Sequence, residues 1–238
     1  QGPVAGSSDL NWPNAGEIRG FADVPQKGPI PDETQARMRH GYYAATSYLD
    51  ANIGKVLHAL KASNAAENTI ILFWSDHGYH LGENQHWAKV TVRELDARVP
   101  LFVSAPGFEP GTRDALVEYI DLFPTLSQLC GLPHPTGIDG RSFVPVMEGT
   151  ATFFRPAALT QTCRPWGKKR PIEHMGYSIR SRHHRYTQWI LYESGDIISE
   201  EIYHLREDPF QRENLINDPE LKDLVSEHRR LLEETKTR

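Results

Sequence analysis

Thr69-Ile70-Ile71-Leu72-Phe73-Trp74-Ser75-Asp76-His77-Gly78 is the stretch on which the fold turns. From Thr69 to Trp74 the residues are apolar or β-branched at consecutive positions. That is the pattern of a strand covered on both faces in a parallel sheet, not of one with a wet side. A second such run, Val99-Pro100-Leu101-Phe102-Val103-Ser104, closes at Ala105-Pro106-Gly107, and Asp121 opens a short helix through Leu122, Phe123, Leu126 and Leu129. Upstream, Met38, Tyr42, Ala45, Leu49, Ile53, Val56 and Leu60 recur at helical spacing, with Asp32 and Gln35 placed as a capping box. A long amphipathic helix is therefore predicted from Asp32 to about Ser63 and Asn64. This order of elements predicts an α/β body.

The flanks read differently. Residues 1–31 are rich in Gly, Pro, Ser and Asn without periodicity, which predicts an irregular surface segment. The α/β body then runs over 32–150. Over 151–238 the texture shifts toward Arg, His and Tyr. Tyr177, Ile179, Tyr186, Gln188 and Ile190 predict a hairpin turning near His183 and His184, Glu201 to Leu205 a third strand, and Asp218-Pro219 the start of a helix bearing Leu221, Leu224, Val225, His228 and Leu231. A small antiparallel sheet with one helix follows.

Bulk properties exclude several classes. In 238 residues, 39% are hydrophobic, enough for a core. Lys and Arg number 26 against 31 Asp and Glu, and with no long block of like charge nothing predicts nucleic-acid binding. The longest apolar run is too short to cross a bilayer. Cys130 and Cys163 fit either a bridge or two thiols.

The chemistry gathers just past the first strand. In open α/β sheets, ligands collect outside the carboxyl ends of strands, which is where Asp76 and His77 fall. A carboxylate followed by an imidazole offers a divalent cation oxygen and nitrogen ligands, and Gly78 lets the backbone turn away. The alternative is a strand-end Asp capping a turn beside an exposed His. Lys89, within Gly82-Glu83-Asn84-Gln85-His86-Trp87-Ala88-Lys89, could supply a compact positive charge to a tetrahedral oxyanion, or be an ordinary solvated lysine. His174, His183, His184, His204 and His228 fit no established zinc spacing.

The run from Ser75 to Lys89, followed by Leu95-Asp96-Ala97-Arg98-Val99-Pro100-Leu101, resembles the C-terminal signature of type I sulfatases of the alkaline-phosphatase superfamily, particularly the iduronate-2-sulfatase branch. Support continues in Ile120-Asp121-Leu122-Phe123-Pro124-Thr125-Leu126, Gly140-Arg141-Ser142-Phe143, Met175-Gly176-Tyr177-Ser178-Ile179-Arg180 and Tyr203-His204-Leu205. One departure is Asn84, where relatives carry an imidazole.

The resemblance implies an alkaline-phosphatase-like, mainly parallel sheet with flanking helices, present here in part. It implies metal ligation, most readily of Ca2+, by Asp76 and His77, with Lys89 contacting sulfate. It also implies hydrolysis of sulfate esters of saccharides by a formylglycine nucleophile, in an exported enzyme. That residue arises in a Cys-x-Pro-x-Arg motif, which this chain lacks: Cys163-Arg164-Pro165-Trp166-Gly167 has Gly167 in place of the arginine, and Cys163 is expected to be an ordinary loop cysteine. The nucleophile is therefore expected on an N-terminal half, as a partner, and the isolated chain is expected to be inactive. Tyr79, His80 and His86, together with the basic group Arg164, Lys168, Lys169 and Arg170, are candidates for substrate contact. A phosphodiesterase or phosphomutase of the same superfamily, using zinc or manganese, and a non-catalytic truncated module are the competing readings.

Overall fold

The computed structural model of the chain describes residues 4–13, 16–167 and 170–237. Helix α1 (Asp32–Ala62) spans the predicted range, with Ser63 as its C-cap. Its start differs from the predicted capping box: Pro31 is the N-cap, and the Gln35 amide donates to the Ile30 carbonyl at 2.8 Å. The apolar stripe of α1 is present but largely uncovered, with Tyr42, Leu49 and Val56 at 41%, 53% and 68% exposure.

Strands β1 (Ile71–Trp74) and β4 (Leu101–Ser104) are the two apolar runs, and they pair antiparallel, Ile71 opposite Ser104 and Trp74 opposite Leu101. A parallel neighbour was expected from the lack of alternation. That pattern does not report strand direction, and one antiparallel strand on a mainly parallel sheet is common in α/β folds; nor are both faces covered here, with Trp74 and Phe102 46% and 64% exposed. Between them lie β2 (His80–Leu81) and β3 (Trp87–Ala88), a two-stranded hairpin, and the short helix α2 (Glu94–Ala97). Helices α3 (Leu122–Leu129) and α4 (Val144–Met147) complete this body.

The C-terminal part is a four-stranded antiparallel meander, β5 (Ala158–Arg164), β6 (His174–Arg180), β7 (His184–Leu191) and β8 (Ile197–His204), crossed by α5 (Lys222–Lys236). Three of these strands were expected. β5 was not, so Cys163 lies on a strand and not in a loop. Its residues, Ala-Leu-Thr-Gln-Thr-Cys-Arg, carry little apolar signal. Ala157, Ile179, Tyr186, Ile202, Val225 and Leu232 form the core between sheet and helix. Cys130 and Cys163 are free thiols.

The N-terminal segment is irregular, with two 3-10 turns at Asp9–Asn11 and Ile18–Gly20, yet it is not all surface. Ile18, Val24 and Ile30 are buried against Trp87 and Ala88, the two residues that precede Lys89. A second tie joins sheet and body: Arg185 on β7 donates from Nη2 to Glu94 on α2 at 2.6 Å, both buried. Burial raises the Glu94 pKa, but the charge and hydrogen bonds of Arg185 outweigh it and hold the carboxyl below its ordinary value. Among the described residues, no helix is long and apolar enough to cross a membrane.

Candidate active site

Gly78 is required by a close approach. A Cβ there would lie 1.8 Å from the Leu95 carbonyl oxygen, while its N–H donates to the Asp96 carbonyl at 2.8 Å. The loop leaving β1 is thereby held against the segment that carries α2.

On that loop the Asp76 side chain is 85% exposed, with Oδ2 3.5 Å from His77 Nε2. His77 Nδ1 lies 2.8 Å from the Gly78 carbonyl oxygen. A carbonyl only accepts, so Nδ1 carries the proton and Nε2 keeps its lone pair on the side of the Asp76 carboxylate. Ser75 Oγ donates to the His77 carbonyl at 2.8 Å, and the Tyr119 hydroxyl donates to the Ser75 carbonyl. An imidazole oriented by a carbonyl beside a solvent-facing carboxylate is a donor pair that fits a divalent cation.

Lys89 sits between two residues in the left-handed region, Ala88 at φ 68° and Val90 at φ 80°. For non-glycine residues such backbone costs on the order of 1–3 kcal/mol each, so it persists only where packing imposes it. Ala88 is 2% exposed, and Arg164 donates to the Val90 carbonyl at 2.7 Å. The Lys89 amine lies 3.4 Å from Glu17 Oε2. Asp76, His77 and Lys89 line one cavity of about 1530 Å³, with Arg98, Trp166, Arg182 and His183 also on its wall.

Among the described residues, the other predicted contacts do not line this cavity. His80 and His86 are 1% and 4% exposed and so are corrected from surface contacts to interior groups. Arg164 is also buried, its Nε donating to the Leu10 carbonyl at 2.9 Å; it braces the Lys89 loop from β5. Tyr79 is half-buried and stacked on Tyr42 with centroids 5.3 Å apart. Arg170 is exposed but lines no part of the cavity. Lys168 and Lys169 lie outside the described residues. Asn84, the departure from the signature, donates to the Phe210 carbonyl at 2.7 Å, a structural bond across to the segment after β8.

What the sequence missed is the β6–β7 turn. His183 reads in the sequence as hairpin tip and as a histidine without zinc spacing, and Arg182 is not singled out; the alternation of His183 with the buried Arg185 is the one signal that could have flagged the turn. Also missed was a buried grouping at the cavity's edge: His80, His86 and Asp96 have ligand atoms within 4.8 Å of one another, and Asp96 also lines the cavity. Burial, reinforced by the neighbouring His86 and Arg93, pushes His80 down to about 2. Burial and Arg93 push His86 to about 4. Burial raises Asp96 to about 6 against two Thr91 hydrogen bonds.

The sulfatase family model matches residues 15–132, and the C-terminal model of N-sulphoglucosamine sulphohydrolase matches residues 82–238. The chain belongs to the sulfatase family. This sulfatase chain is 34% identical to iduronate 2-sulfatase of Mus musculus over 253 residues, covering 80% of the chain and 46% of that relative. A sulfatase of Formosa agariphila is also 34% identical, over 99% of the chain and 44% of the relative. The chain thus spans about half the length of the curated relatives it matches. A putative sulfatase from Bacteroides thetaiotaomicron superposes with a TM-score of 0.77 at 24% identity, over the whole chain and 53% of that structure. A phosphonate monoester hydrolase from Silicibacter pomeroyi does so with a TM-score of 0.79 at 23% identity, over 99% of the chain and 49% of that structure. Both likenesses speak to fold alone.

Proposed function

We propose that this chain forms the metal- and anion-binding wall of a sulfuric ester hydrolase acting on sulfated saccharides. The observation that carries the reading is the shared cavity of Asp76, His77 and Lys89. Asp76 and His77 Nε2 are the cation's ligands from this chain, with Ca2+ the metal the family resemblance favours. When bound, the cation supplies positive charge at the sulfuryl oxygens and at the nucleophile. Lys89 donates to a sulfuryl oxygen, which replaces the Glu17 carboxylate as its partner. Because Ala88, Val90 and the buried Trp87 fix the loop, the amine acts from a held position and not as a free surface charge.

The remaining ligands and the formylglycine belong, in this reading, to an N-terminal half, and the whole enzyme is exported. Neither Cys130 nor Cys163 opens a Cys-x-Pro-x-Arg motif. The isolated 238-residue chain is therefore expected to show no sulfate-ester turnover without that partner. Measurable hydrolysis by the chain alone removes this part of the reading.

Arg182, His183 and Trp166, on the cavity wall, read a uronate carboxylate or a neighbouring sulfate in this proposal, and Lys168, Lys169 and Arg170 follow Trp166 after Gly167. In an active enzyme containing this chain, Arg182→Glu should raise KM for an anionic disaccharide sulfate far more than for a small aryl sulfate. Equal effects on both substrates would remove the role.

The Ser75-Asp76-His77-Gly78 run, which also resembles the metal site of phosphodiesterases and phosphomutases of the same superfamily, keeps phosphorus ester chemistry as a second reading. Comparing kcat/KM for matched aryl sulfate and aryl phosphonate monoesters separates the two; preference for the phosphonate overturns the first.

A further inference from the structure

The buried cluster of His80, His86 and Asp96 has the properties of a ligand set. His86 hydrogen-bonds through its ring to the Lys89 backbone, and its Nε2 is buried without a partner, so the bonded nitrogen is Nδ1 and Nε2 holds a lone pair. Asp96 Oδ2 accepts from the Thr91 N–H at 2.7 Å and from Thr91 Oγ1 at 2.6 Å, while Asp96 Oδ1 is buried and unpartnered. Both ring nitrogens of His80 are likewise buried without a partner, and its Nε2 lies 3.5 Å from Asp96 Oδ1. The two imidazole rings meet edge to face with centroids 4.6 Å apart. Three groups thus turn bare ligand atoms toward one another in the interior, where each unmade polar contact costs on the order of 1–3 kcal/mol.

We infer that His80, His86 and Asp96 form a structural site for a borderline transition-metal ion, Zn2+ by the chemistry of two imidazoles and one carboxylate. Histidine held by a backbone carbonyl and carboxylate held by a threonine are the outer-shell arrangement such ions use. Two nitrogens and one oxygen suit zinc, and the buried position suits a structural role. The site uses neither Asp76 nor His77, although Asp96 lines the same cavity as they do, and it does not depend on the sulfate-ester reading. It has a mechanical consequence. His86 grips the backbone of Lys89, and Asp96 grips Thr91, so one ion fastens both ends of the strained segment that presents the amine.

The test counts metal in purified protein stripped with a chelator, re-equilibrated with Zn2+ and freed of excess ion. The Asp76→Asn variant removes the cavity site and should still retain one equivalent of zinc. His86→Gln should bind it at least about a hundredfold more weakly, since losing even an outer-shell partner costs 10–100-fold. Because the histidine variant can misfold, X-ray absorption at the zinc edge on unsubstituted stoichiometric protein gives an independent reading, in which two imidazoles are expected. Failure of Asp76→Asn to retain zinc, equal retention by His86→Gln, or an edge spectrum without imidazole scattering each overturns the site.

Discussion

At the residue scale, Lys89 is the group whose removal should cost most. It lines a cavity together with Asp76 and His77, and its one ion pair among the described residues is the part-exposed one with Glu17, at 3.4 Å. In an active enzyme containing this chain, Lys89→Ala should lower kcat about 10²–10³-fold, the range for losing one oxyanion donor. Glu17→Gln should change kcat little, because that carboxylate only occupies the amine between substrates. A steady-state comparison of both variants checks the pair, and similar losses in the two would show that Glu17 positions the lysine and is not merely displaced. The Ser75-Asp76-His77-Gly78 run and Lys89 were legible in the sequence because strand-end position and residue type coincide. The burial of His80, His86 and Arg164 was not, since nothing in their local pattern distinguishes a buried imidazole or guanidinium from one on the rim.

At the scale of elements, two contacts can be tested, one between the small sheet and α2 and one within the C-terminal part. The first is Arg185 on β7 against Glu94 on α2. Removing one partner leaves the other charge buried, so Arg185→Met should destabilise the chain by about 3–5 kcal/mol, read as a lower midpoint in urea denaturation. A loss under 1 kcal/mol would mean that water reaches Glu94. The second is the histidine group where β7, β8 and α5 meet. His184, lowered to about 4 by burial and then by His228, His204 and His183, stacks edge-on to His204 and His228 with centroids 4.9 and 5.4 Å apart. A histidine whose folded pKa is depressed contributes stability above its unfolded value, near 6.5, and loses it as pH falls through the folded value. Thermal stability should therefore drop between about pH 6.5 and 4, and His184→Gln should flatten that drop. An unchanged pH profile would place the acid-sensitive group elsewhere.

The sequence predicted α1, β1, β4, the β6–β7 hairpin and α5, because each carries a strong periodicity or an uninterrupted apolar run. β5 escaped notice because Leu159 is its one large apolar residue, packed against the core, among Ala, Thr, Gln, Cys and Arg. The direction of β4 escaped for a different reason: an apolar run carries no record of strand direction.

At the scale of the whole molecule, the uncovered apolar surface is the dominant feature. Tyr48, Val56, Phe102 and Phe123 are 70%, 68%, 64% and 61% exposed, spread over α1, β4 and α3. Monomeric proteins rarely leave patches of this kind bare, and the open edges of the β1–β4 pair add unpaired backbone. The isolated chain should self-associate at micromolar concentration, seen as rising mass in light scattering, and co-expression with the proposed N-terminal half should suppress it. A monodisperse isolated chain would argue for a self-sufficient module. The account rests finally on one convergence, and a crystal structure of an active enzyme containing this chain, soaked with calcium and sulfate, tests it most directly. The expected result is a cation ligated by Asp76 and His77 Nε2, with the Lys89 amine hydrogen-bonded to a sulfate oxygen beside it. A sulfate bound at the cation while Lys89 remains paired with Glu17 and out of reach would contradict it.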